Sequence, residues 1–152
     1  MAELKSRLTP IELGNVDEWW HSFLRIAEEW SFSPALTHAD LGPDHALVQP
    51  ETHTMSGVID FGDVVVGDPA LDFAGMMVLG NEEFMLEVAR AYHELGGPAD
   101  SEVTDRARLL SKTNLFYDVV HAVTLGHYGP PIPSIKQALS RLRACLPSLD
   151  IP

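Results

Sequence analysis

The chain contains 64 consecutive residues, Ile26–Ala89, with no Lys or Arg. The same stretch holds 12 acidic residues, which equals the whole formal net charge of −12. Binding to DNA or RNA through this stretch is excluded, because phosphate binding needs cationic side chains. Cations are the partners it suits instead, either metal ions or a polyamine-like substrate.

Other bulk properties bound the class. At 152 residues, with 45% hydrophobic and 21% charged residues, one packed domain over 1–152 is the expectation. The longest apolar run, Phe73–Leu79, is far too short for a bilayer span. No secretory h-region opens the chain. Its single cysteine, Cys145, permits no internal disulfide, so a cytoplasmic setting is expected.

Periodicity predicts a mainly α domain with a small β-hairpin, an α+β class. Asn15–Trp30 reads as an amphipathic helix, capped by Asn15 or Asp17, with Trp19, Trp20, Phe23 and Trp30 as core. Thr37–His45 reads as a loop. Ala46–Gln49 and Ser56–Phe61 read as paired strands around the turn Pro50–Met55. Helices are predicted over Ala70–Leu79, Glu82–Leu95, Ser101–Leu125 and Ser134–Leu146. Gly129–Pro133 reads as a rigid linker and His127-Tyr128 as a helix end. Cys145 falls on the apolar face of the last helix, as a buried thiol.

The chemistry is concentrated in Leu36–Phe73. This segment holds His38-x-Asp40-x4-His45, then Ile59-Asp60-Phe61-Gly62-Asp63, then Gly67-Asp68-Pro69-x-x-Asp72. A hairpin over 46–61 joins its two ends, so Asp40, His45 and Asp60 can converge. Two carboxylates and an imidazole without a nearby Lys or Arg repel unless a divalent ion joins them. Mg²⁺ suits mostly oxygen ligands and takes few of them from protein. A carboxylate left over can accept a hydroxyl proton. A metal-dependent hydrolase built on His38, Asp40, His45 and Asp60 is another reading of the same residues.

The three motifs, in order over about 40 residues, resemble the aminoglycoside phosphotransferase (kanamycin kinase-like) family. Its loop reads H-G-D-x4-N/H, followed by I-D-[FW]-x-D and G-D-P-x-x-D. The resemblance implies the C-terminal lobe of a protein-kinase-like fold, with a catalytic loop at 36–45 and a helical subdomain at 70–146. It implies Asp40 as catalytic base, His45 and Asp60 as Mg²⁺ holders, and ATP or GTP as donor. His38 would brace the loop, and Asp68 would cap the next helix or brace the loop. Asp44, Asp63, Glu82 and Glu83 would face a small cationic acceptor, as in antibiotic resistance. Asp68 and Asp72 also read as ordinary helix caps, and Glu82 and Glu83 as first-turn acids that complement a helix dipole. No G-x-G-x-x-G precedes the loop, and Lys5 is the only lysine before it. The expectation is therefore the C-terminal lobe alone, covered by a separately encoded N-terminal lobe or by a second copy. A non-catalytic module binding a metal or a cation is the alternative.

Overall fold

The computed structural model describes residues 6–125 and 133–146. Most of the expected linker, Gly129–Ile132, and the pair His127-Tyr128 lie outside the described residues. The elements are α1 (Pro10–Ala27), β1 (Ala35–Thr37), β2 (Ala46–Val48), β3 (Met55–Val58), β4 (Val65–Gly67), α2 (Ala70–Leu79), α3 (Glu82–Glu94), α4 (Val103–Thr124) and α5 (Ile135–Cys145). A 3₁₀ turn, Phe61–Asp63, separates β3 from β4. The described residues form the expected mainly helical chain, with two two-stranded antiparallel sheets where the sequence suggests a single hairpin.

The first helix starts at Pro10, ahead of the Asn15 start that its apolar periodicity suggests. Thr9 caps it, taking the amide of Glu12 while Glu12 returns a carboxylate to the Thr9 amide at 2.7 Å. Pro10 occupies the first turn, where its missing N–H costs nothing. That capping box outweighs Asn15 and Asp17, which fall inside the helix. The strands also differ from expectation. Ala35–Thr37, expected as loop at its Thr37 end, pairs antiparallel with β4 in the register Leu36↔Val66. The expected hairpin β2–β3 forms with Ala46↔Val58 and is irregular beyond Leu47. Its second strand ends at Val58, not Phe61.

The chain divides into two compact units, Ser31–Ser111 and, around it in sequence, Met1–Trp30 with Lys112–Pro152. In the flanking unit, α1 presents Trp19 and Phe23, stacked at 5.2 Å between centroids, and Trp19 lies 4.8 Å from Phe116. Val119, Ala138 and Leu142 are buried there as well, whereas Cys145 is only half-buried. Arg143 Nε donates to Glu12 at 2.6 Å and ties α5 to α1.

In the central unit the core is Ala70 and Phe73 of α2, Met85 of α3, and Val103 and Ala107 of α4. Beside it lies a buried ion cluster. Arg106, 3% exposed, donates from Nε and Nη2 to both oxygens of Asp68 at 2.7 and 3.0 Å, and from Nη1 and Nη2 to Asp100 at 2.8 Å. Asp68 Oδ1 also accepts from the Ala70 amide at 3.0 Å and so caps the entry to α2. The guanidinium lies 5.8 Å from the centre of the Phe32 ring. These contacts raise the pKa of Arg106 and, chiefly through its hydrogen bond, hold the Asp100 carboxyl down at about 2.

Removing Asp68 leaves the buried Arg106 Nε without its acceptor and the charge balanced by Asp100 alone. Asp68→Ala is therefore expected to cost about 3 kcal/mol in urea denaturation; a loss under about 0.5 kcal/mol would show that the cluster is not a support. Asp100 is depressed below its ordinary 3.8, so its contribution is whole above that value and vanishes as pH falls through about 2. The melting temperature of Asp100→Ala should accordingly fall less than that of the parent chain between about pH 4 and 2. Equal falls in the two chains would remove Asp100 from the cluster's support.

Candidate active site

The site is built on the segment between β1 and β2 and on the end of the β2–β3 hairpin. Thr37 ends β1 fully buried, its hydroxyl donating to the Val65 carbonyl at 3.0 Å. The chain then turns through Ala39, at φ 65°, a left-handed conformation that costs an L-alanine about 1–2 kcal/mol. The related H-G-D motif carries glycine at this position. What holds the turn is Asp72, in the first turn of α2. Its two oxygens accept from the amides of His38 and Ala39, each at 2.9 Å. Asp72 is thus a clamp on the loop and not the plain helix cap that sequence position suggests.

Gly75, three residues further along α2, completes the grip. A Cβ built there would lie 1.9 Å from the Leu41 carbonyl oxygen. Only glycine lets the loop backbone seat this closely on the helix.

His38, 6% exposed, donates through Nε2 to the Ile59 carbonyl at 2.8 Å. Its buried Nδ1 has no hydrogen-bond partner among the described residues. His38 therefore ties the loop to the residue preceding Asp60, which itself sits at φ 63°. Ile59 in turn donates its amide to the His45 carbonyl at 3.0 Å.

His45 is the point of convergence. Its Nδ1–H donates to the Asp40 backbone carbonyl at 2.6 Å, which leaves the lone pair on Nε2. Nε2 lies 3.7 Å from Asp60 Oδ2 and 3.8 Å from Asp44 Oδ2, and Nδ1 lies 3.8 Å from Asp40 Oδ2. The three carboxylates are largely exposed, whereas the ring is mostly covered. The Asp40 carbonyl first, and then the three carboxylates, raise the pKa of His45. A site that favours a proton on this ring also favours another cation beside it. The pair of Nε2 and the Asp60 carboxylate fits a hard divalent ion that takes few protein ligands. Among the described residues, no group of three or more His, Cys, Asp or Glu is arranged to hold a metal ion.

The remaining candidates stand apart in the contacts they make. Asp63 is exposed at the end of the 3₁₀ turn. Glu82 and Glu83 lie in the first turn of α3, after the Asn81 cap, and Glu82 Oε1 accepts from Arg108 Nε at 2.7 Å. No ion pair among the described residues joins Asp63, Glu82 or Glu83 to His45.

Comparison with known proteins gives this geometry its setting. The model of a phosphotransferase enzyme family (APH) matches residues 1–110, which contain every residue of the site. The chain belongs to this family. Viomycin phosphotransferase of Streptomyces vinaceus is 32% identical over 90 residues, 58% of this chain and 30% of that enzyme. Solved aminoglycoside phosphotransferases share the fold. The GDP complex of aminoglycoside 2′-phosphotransferase-IIIa superposes with a TM-score of 0.63 at 21% identity, over 94% of this chain and 46% of that one. The gentamicin complex of APH(2″)-IIa gives 0.62 at 21% identity, over 93% and 46%. The chain thus spans less than half the length of these family members.

The clamp yields a prediction. Gly75→Ala is expected to cost about 1–3 kcal/mol and to displace residues 38–45, visible as amide shifts confined to that loop and Ile59–Asp60. Shifts spread evenly over the chain, or none at all, would contradict the close seating of loop on helix.

Proposed function

We propose that these residues form the acidic half of a phosphotransferase site that moves the γ-phosphoryl group of ATP or GTP to a hydroxyl of a small, cationic acceptor of the aminoglycoside type. The observation that supports this best is the convergence of Asp40, Asp44 and Asp60 within 3.8 Å of the His45 ring. Membership of the phosphotransferase family supports it independently.

In this reading Asp40 is the catalytic base. It orients the acceptor hydroxyl and takes its proton as the new O–P bond forms. The bond from the γ-phosphorus to the bridging oxygen breaks, and the nucleoside diphosphate leaves. His45, through Nε2, and Asp60 are the residues that would hold Mg²⁺. When bound, that ion offsets phosphate charge and fixes the γ-phosphoryl group in line. His38 and Asp72 hold the loop so that little reorganisation is needed during transfer. Asp44, Asp63 and Glu83 present carboxylates to the ammonium groups of the acceptor. Glu82 can join them only by exchanging Arg108 for the acceptor. Such a reaction draws on cytoplasmic nucleotide, and on an aminoglycoside it would confer resistance.

The test is transfer of radiolabelled γ-phosphate to an aminoglycoside panel, with the chain joined to a nucleotide-covering N-terminal lobe. Asp40→Asn is expected to lower the rate at least about a hundredfold with the melting temperature unchanged. The substitution is structurally mild, because the His45 hydrogen bond goes to the Asp40 backbone carbonyl, which the change leaves in place. Transfer that survives it at the parent rate would remove Asp40 from the role of base.

A further inference from the structure

The flanking unit contains a cavity of about 820 Å³ that the phosphotransferase reading does not use. None of its lining residues belongs to Ser31–Ser111, the unit that holds the His45 site. Its walls are apolar and partly aromatic, with Val16, Trp20, Phe116, Tyr117, Val120 and Leu142 among them. The volume falls in the range that encloses a drug-sized molecule.

Two features show that this is a shaped site and not a loose gap. Trp20 is fixed by its neighbours, edge-on to Trp19 at 5.1 Å and tilted on Phe116 at 5.2 Å. The aromatic wall is therefore in place before any ligand arrives. The second feature is Gly14, which also lines the cavity. It sits inside α1, where glycine is disfavoured relative to alanine. A Cβ built on it meets nothing within 4 Å. No packing contact requires glycine here, and a longer side chain at this position would intrude on the cavity.

Charge decides the class of ligand. The lining includes one acid, Asp17, and no Lys or Arg. Its carboxylate is 76% exposed, with the His21 ring 3.6 Å away. The arginines on α5 are committed elsewhere, Arg143 to Glu12 and Arg141 to Asp118. We propose that this cavity binds an amphipathic organic monocation, its apolar body against Trp20 and Phe116 and its ammonium group at Asp17.

Dansylcadaverine and N-pentyl dansylamide, which share a body and differ by one terminal amine, provide the test by fluorescence titration of the chain. Saturable 1:1 binding is expected, with the amine about threefold tighter, as a partly exposed ion pair allows. Asp17→Asn should bring the two dyes to equal affinity and leave the pentylamide unchanged. Gly14→Leu should narrow the cavity, raise the melting temperature through better helix propensity, and weaken binding of both dyes severalfold. Gly14→Ala should raise the melting temperature and keep binding. Absence of saturable binding, binding undiminished in Gly14→Leu, or an amine preference that survives Asp17→Asn would each overturn the proposal.

Discussion

One carboxylate organises the site. Asp72 holds two successive backbone amides, those of His38 and Ala39, and keeps Ala39 in a conformation it would not choose alone. Everything downstream inherits its position from that contact. His38 reaches Ile59, Ile59 reaches the His45 carbonyl, and His45 gathers three carboxylates around its ring. The turn is placed by a helix, and the helix is anchored in the core of its unit through Ala70 and Phe73. The buried bridge of Arg106 to Asp68 fixes the start of the same helix. A strained loop is thus carried on a rigid element, as functional constellations require.

The acid-rich stretch acquires a physical explanation from this arrangement. Its carboxylates do three different things. Asp68 is neutralised by Arg106, supplied from beyond the stretch. Asp72 is satisfied by backbone amides, which need no positive charge. Asp40, Asp44 and Asp60 remain largely exposed around one imidazole, with no Lys or Arg paired to them among the described residues. Lys and Arg within the loop would have offset that field, and the sequence places none there.

Much of this is legible in the sequence. The three motifs locate the loop, and the hairpin brings Asp40, His45 and Asp60 together because strand pairing joins the ends of a connection whatever its details. The helices from Ala70 onward are marked by caps and period within a few residues. Other features are harder to see. The Thr9–Glu12 capping box is written in the sequence as T-P-x-E, but the apolar rhythm that starts later at Val16 obscures it. Strand β4, Val65–Gly67, is too short to show alternation, and its partner β1 lies 28 residues away across the Thr37–Val65 contact. Asp72 looks like a cap because helix starts are full of aspartates. Gly75, three residues later on the same helix face, is the signal that distinguishes a clamp from a cap. Arg106 carries no local signal at all, since only folding brings it to Asp68.

In the proposed phosphotransferase site, His45 Nε2 and Asp60 would receive a divalent ion together with nucleotide phosphates while Asp40 stays uncoordinated. A crystal structure of the chain grown with nucleotide and Mn²⁺ in place of Mg²⁺, phased on the manganese anomalous signal, tests it directly. One anomalous peak is expected within coordination distance of His45 Nε2 and the Asp60 carboxylate, with phosphate oxygens completing the shell and Asp40 left free. A peak held by Asp40 and Asp44 without His45, or manganese found only at other surface acids, would contradict it.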